Sequence, residues 1–388
     1  MPDKINITPE ALVYWAFLVS LAISITGLAY LRYTVYLLPF FATLVWMLSG
    51  NYRIYAHREL RAFILLFFLS VLSLIPWDLN TFKKVYFVYV FLSVFLLFDF
   101  SRIDIDFRKL ALIYITFGLI TGAMRHVGMG IEDFSVTKSR SFFENTFAFP
   151  LGLLCLYFFL YRRYLWGLVA VIFLILFLKR IVFVALGLSL VVWLLPATLR
   201  RVILNPVAAI IVALIIIWFS VEFSQGNFDR LIFEYLDISP NQLSQGRQML
   251  WISILRSVNF DYESFLFWGE GVGKIKSSLE AVVHVEKILL HNDLLSLVLE
   301  IGLLFYIIFI YLFADLRYDA AKLFSFFMLV LFATDNVLIY QHVMFTYFFI
   351  QAQIRREFFL ARSARVLQRH SVSFEGSRRP IIGSLLKR

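Results

Sequence analysis

Four groups of residues in this 388-residue chain carry side chains suited to chemistry on an anion or a hydroxyl. His291-Asn292-Asp293 stands immediately before the apolar run 294–302. A histidine at a helix N-terminus lies in the positive end of the dipole, which favours neutral imidazole, the form a general base needs. The same residue also reads as a cap or a water-facing side chain. In 244–251, Ser244 suits a helix cap, which puts Arg247 in the first turn and Trp251 one turn on. Arg247 there is an anion ligand or a solvated helix arginine. Arg140, in the segment 138–145 that ends Phe143-Glu144-Asn145, is an interfacial anchor or a diphosphate ligand. Lys179-Arg180 divides an otherwise continuous apolar run, either as an anion-facing pair or as a snorkelling pair at a tight turn.

Other residues add less. Arg125, His126, Lys138 and His342 fall on the same side of the apolar stretches as these groups. The glycine-rich 268–274 lacks the spacing of a phosphate loop and the strand that should precede one, so it reads as a flexible turn. No set of His, Cys or carboxylates with zinc spacing surrounds His291. Cys155 is the single cysteine, which excludes a disulfide framework, and its apolar surroundings point to packing.

The elements that must hold these groups are apolar. Hydrophobic residues make up 61% of the chain and charged residues 16%, against about 45–50% and about 25% in soluble domains. A water-soluble fold cannot hide that excess. Twelve stretches of membrane-spanning character are expected, near 10–30, 33–49, 62–77, 85–98, 110–124, 146–160, 165–178, 181–196, 203–221, 294–314, 322–338 and 341–353. The expectation is an all-α, polytopic helix bundle divided into spans one to nine (1–221), a large loop (222–291), spans ten to twelve (292–353) and a basic tail (354–388). Only Lys4 precedes the first apolar run, which has span length, so the start does not read as a cleaved signal peptide.

Basic doublets such as Arg162-Arg163 and Arg200-Arg201 fall on alternate loops, as does the basic tail. By the positive-inside rule both termini are then cytoplasmic and the large loop lies outside. The net charge of +10 is an orientation signal and says nothing of nucleic acid. A loop as long as 222–291 is functional or disordered, and its clusters 228–235, 249–255 and 265–268 read as short amphipathic helices against the membrane or over a cavity. The tail after Gln351, basic and polar, reads as a mobile inner-surface segment drawn to anionic lipid.

In chain order, Arg140 with Phe143-Glu144-Asn145, the turn Lys179-Arg180, Gly246-Arg247 with Trp251, Gly271-x-Gly273, His291-Asn292 and Glu300-x-Gly302 form a pattern. The pattern resembles the O-antigen ligase and O-antigen polymerase superfamily of bacterial polysaccharide assembly. The resemblance covers about residues 130–305, and its histidine-asparagine and glutamate-x-glycine elements are the most specific. It implies a metal-independent, cofactor-free, inverting glycosyltransferase of the bacterial inner membrane, acting at the periplasmic face. The donor would be a glycan on undecaprenyl diphosphate. The acceptor would be another lipid-linked repeat unit (polymerase) or the lipid A core (ligase), with a chain-length regulator as a further partner.

Carried over by position, Arg140 and Arg247 bind the diphosphate and His291 takes the acceptor proton. Arg180 matches the arginine of a serine- or threonine-arginine turn; Lys179 departs from that pattern, and its share in diphosphate binding is an extrapolation from its neighbour. Asn292, Glu144 and Glu300 support, with Glu300 a structural acceptor inside the bundle. Glu144 before Asn145 leans toward the polymerase. The reading from another class is a transporter or flippase, which would place paired charges at the membrane midplane in two related halves. Here the charges gather at one face.

Overall fold

A computed structural model describes residues 8–24, 31–75, 77–125, 143–244, 246–258, 264–283 and 290–377. Arg140, Lys138 and His126 lie outside these residues, as do 25–30 of the first expected span and the last residues of the tail. Among the described residues every element is helical. The first eight helices are α1 (Pro9–Ser24), α2 (Leu38–Ser49), α3 (Arg61–Leu72), α4 (Leu79–Leu97), α5 (Phe107–Arg125), α6 (Ala148–Leu160), α7 (Tyr164–Phe177) and α8 (Arg180–Leu194). A short α9 (Ala197–Ile203) leads into α10 (Pro206–Ser224). The large loop holds α11 (Asp229–Leu236), α12 (Pro240–Leu243), α13 (Arg247–Ser257) and α14 (Lys274–Val283). The chain ends with α15 (Asp293–Ala314), α16 (Asp319–Phe332) and α17 (Gln341–Ser377).

Each of the twelve apolar stretches overlaps one of these helices, and among the described residues four are long and apolar enough to cross a membrane: α4, α5 as far as Met124, α10 and α15. Helices suit such segments because every internal backbone group is paired within the element. Their outer surfaces stay apolar: Leu165, Leu194, Ile215 and Trp218 are all exposed. Inside, α15 packs against α3, α10 and α16, while α17 packs against α4 and α6. Phe63 of α3 meets Phe91, Phe309 and Phe348 edge to face at 5.3, 5.8 and 5.3 Å, locking four helices around one ring. Lipid gives helices little hydrophobic reason to associate, so such packing is joined by polar ties. Tyr114 to Thr346 (2.6 Å) and Ser325 to Tyr347 (2.8 Å) are two of them, each worth roughly 0.6 kcal/mol.

Three features depart from expectation. The eleventh stretch, 322–338, is not one helix: α16 stops at Phe332, and 333–340 forms a buried turn with a 3₁₀ piece at Val337–Ile339. Averaged hydropathy conceals Asp335 and Asn336 inside that run. The last helix does not end near Gln351: α17 continues to Ser377, buried as far as Ile354 and exposed over 358–363. Arg355 and Arg356 tie it down through Glu59, Asp99 and Asp104.

The glycine-rich turn is not free either. Gly302 interrupts α15 with φ +75°, and the N–H groups of Glu270 and Gly271 donate to the carbonyls of Leu299 and Glu300 at 2.8 and 2.9 Å. The loop therefore pairs backbone acceptors at the break. The fit leaves no room for a side chain: a Cβ on Gly302 would lie 2.8 Å from the Phe267 backbone, and one on Gly269 2.5 Å from that of Glu300.

Candidate active site

Two irregular segments, 290–293 and 333–340, carry the site. Asn292 caps α15, its Oδ1 accepting from Leu295 N at 2.9 Å, and its amide donates to Ser220 of α10 at 3.1 Å. The turn into that cap puts His291 at φ +53°, a left-handed conformation uncommon outside glycine but more often met in His, Asn and Asp. The second segment is laced to the first. Asp293 N donates to the Asp335 carbonyl (3.3 Å), and Leu338 N donates to the Asp293 carboxylate (2.9 Å).

His291 Nδ1 lies 3.4 Å from Asp335 Oδ1. Burial alone would raise the Asp335 carboxyl, but His291 and the Asn336 N–H beside it hold it below the ordinary carboxylate range. An ionised Asp335 favours the tautomer with its proton on Nδ1, which leaves the Nε2 lone pair of His291 free. A contact of 3.4 Å is at the long end for a hydrogen bond.

Helix α13 sits over both segments. Its N-cap is the left-handed Gly246 (φ +84°) and not Ser244, whose Oγ nevertheless accepts from Gln248 N at 3.2 Å. Arg247 donates to the Thr334 carbonyl, the residue before Asp335. One turn on, Trp251 Nε1 donates to the Leu290 carbonyl at 2.8 Å, the residue before His291. The spacing of Arg247 and Trp251 thus positions the two halves of the His291–Asp335 pair.

The cations converge next to this pair. A cavity of about 570 Å³ is lined by Glu144, Lys179, Arg180, Arg247, Thr334 and Asp335 on its polar side. Lys179 is salt-bridged to Glu144 at 2.7 Å. Arg180, the first residue of α8, makes no ion pair among the described residues, and neither does Arg247. Burial pulls the Arg247 guanidinium below its ordinary value, with Asp335 opposing and the nearby Arg180 adding to the fall. Two like charges held close together suit an anion between them. The opposite wall is apolar, formed by Val184, Phe219, Phe223, Leu231 and Ile232, of which Val184, Phe219 and Leu231 are exposed at the bundle surface.

Other site candidates fall elsewhere. Asn145 serves the backbone, accepting from Phe147 N at 2.9 Å and donating to Gly118 O at 3.1 Å. Glu300 faces away from this cavity and accepts from Lys84 Nζ at 2.5 Å. His342 is half-buried, with Nε2 3.3 Å from the Thr146 carbonyl. Of Arg125 only the backbone, at the end of α5, is described. Cys155 is buried against the Gly167 carbonyl. No group of three or more His, Cys, Asp or Glu that could hold a metal converges among the described residues.

Sequence reasoning missed Asp335 and Lys84. The signal was present: each is a charge at the edge of, or within, an apolar run, where charge is costly and marks function or a partner. No protein-family model matches the chain, and no curated protein or solved structure matches it either.

Proposed function

We propose that this chain is a glycosyltransferase of the bacterial inner membrane that polymerises repeat units carried on undecaprenyl diphosphate. In this reading α1 to α8, α10 and α15 to α17 are the twelve spans, both termini are cytoplasmic, and the loop of short helices faces the periplasm. One observation carries it: Arg180 and Arg247 meet over a cavity with a lipid-like apolar wall, directly beside the His291–Asp335 pair. That combination suits an amphiphile with an anionic head and a hydrocarbon tail, held next to a base.

In the reaction, the acceptor hydroxyl oxygen attacks the anomeric carbon of the donor. The new C–O bond forms as the bond from that carbon to the diphosphate oxygen breaks, with inversion. The hydroxyl proton passes to His291 Nε2, and Asp335 stabilises the imidazolium. Charge builds on the departing diphosphate, where Arg247 and Arg180 donate, with Lys179 adding field from its Glu144 pair. The resemblance gives Arg140 the same role. The imidazolium returns its proton to water or to the released diphosphate.

Deleting the gene and resolving the cell's lipopolysaccharide tests the reading. Loss of a polymerase leaves cores bearing a single repeat unit. Bare cores with accumulated lipid-linked polymer would identify a ligase, which uses the same donor chemistry. Normal glycan transfer by a stably expressed His291→Ala chain would remove the general base.

A further inference from the structure

The segments 290–296 and 333–340 have a second side. Thr334 and Asp335 line the cationic cavity, whereas Asn336 and Ile339 line another, of about 260 Å³. Leu290 and Asp293, the neighbours of the His291-Asn292 pair, line this second cavity too. His291 lines neither cavity itself; it stands between Leu290 and Asp293 of the second and pairs with Asp335 of the first.

The second cavity is built rather than incidental. Its roof is α14, held onto α4 by Asn80, whose amide donates to Ser277 and Glu280 at 3.1 Å each, and by Ser277 Oγ donating to Asp78 at 3.2 Å. Gly273 seals the edge, 2.6 Å separating its would-be Cβ from Thr81 Cα. Across the floor, Lys84 of α4 bridges Glu300 (2.5 Å) and Ser296 (3.2 Å) of α15.

The lining mixes both signs and both hydrogen-bond roles. Lys83, Lys84 and Lys276 donate, Asp293 and Glu300 accept, and Phe87 supplies an apolar surface. The Asn336 amide nitrogen is buried without a partner among the described residues, where buried donors are normally paired. Lys84 and Lys276 are already paired with Glu300 and Glu280, so among the described residues Lys83 is the one lining cation without an ion pair, a poor match for a phosphate. A polyhydroxylated ring can donate to the two carboxylates while accepting from the ammonium and amide groups.

We propose that this second cavity is the acceptor subsite, taking a sugar ring of the acceptor glycan and bringing its hydroxyl to the Leu290–Asp293 segment that carries His291. The assignment rests on the glycosyltransferase reading and adds where the acceptor binds. The donor and acceptor then enter from opposite sides of one histidine.

The test uses the full chain in lipid nanodiscs and, as probe, the delipidated repeat-unit oligosaccharide from the producing cell's own polysaccharide, followed by saturation-transfer NMR. Wild type binds the oligosaccharide, and Asn336→Leu weakens binding about tenfold, the equivalent of one lost hydrogen bond. Because Asn336 is buried, the exposed Lys83→Ala serves as the second variant, with binding about threefold weaker at an unchanged unfolding temperature. Arg247→Ala keeps oligosaccharide binding while losing undecaprenyl diphosphate. Equal binding by wild type and both cavity variants, or no binding by wild type, overturns the subsite, as does displacement of the glycan by pyrophosphate. Binding with the expected losses but no transfer from a lipid-linked donor leaves the glycan subsite standing and removes the transferase reading.

Discussion

Arg247 and Arg355 are both largely enclosed arginines, yet they are treated in opposite ways. Arg355 lies on α17 about 20 Å along the helix from Gln341, next to the site, at a rise of about 1.5 Å per residue. Its guanidinium reaches Glu59 with one nitrogen and Asp99 with another, and Asp99 also takes His57 at 3.4 Å. Every charge there has its counter-charge from the protein itself. Around Arg247 the carboxylates are already engaged, Glu144 by Lys179 and Asp335 by His291, and the guanidinium has only a backbone carbonyl. An arginine enclosed by carboxylates holds helices together. An arginine pair left over a cavity waits for an anion from elsewhere.

That contrast yields ordered expectations. His291→Ala has the largest effect, lowering transfer by about 10²–10⁴ in a purified assay while donor binding persists; a smaller loss would place the base elsewhere. Arg247→Ala lowers transfer by about 10²–10³ and leaves the unfolding temperature nearly unchanged. Arg355→Ala does the reverse, costing about 3–5 kcal/mol of stability by stranding Glu59 and Asp99, with normal donor affinity in the folded fraction. If the two arginine variants gave the same balance of stability and activity, the contrast would fail.

Gly302→Ala comes next, with about 1–3 kcal/mol from strain at φ +75° and the displaced 267–269 loop, read by thermal unfolding. The smallest effect concerns pH. Asp335 is held below the ordinary carboxylate value, so the stability it contributes is present above that value and is lost as pH falls through its depressed one. Wild type should therefore lose unfolding temperature in that acid range more steeply than Asp335→Asn. Parallel curves would detach Asp335 from the His291 interaction.

Local signals were sufficient where a single helix carries the information. Arg247 and Trp251 are one turn apart in sequence and act one turn apart in space, and Asn292 caps the helix that the apolar run after it announces. They failed where a partner comes from far along the chain. Asp335 is 44 residues from His291, and Lys84 is 216 from Glu300. Nothing in either neighbourhood names the other. The glycines illustrate the same limit: Gly271 and Gly302 looked like parts of separate short motifs, but loop amides meet the carbonyls exposed at a helix break.

Composition alone dictated an all-helical, apolar architecture, because 61% hydrophobic residues in long runs have few other ways to satisfy their backbone. Residue type alone also marked His291, Arg247 and Arg180 as groups able to move a proton or hold an anion. Tertiary packing decided which of these charges stay unpaired. Ion pairing depends on distances of a few ångströms between segments tens to hundreds of residues apart, and only the folded bundle gives Lys179 and Arg355 their carboxylates while leaving Arg180 and Arg247 facing a cavity.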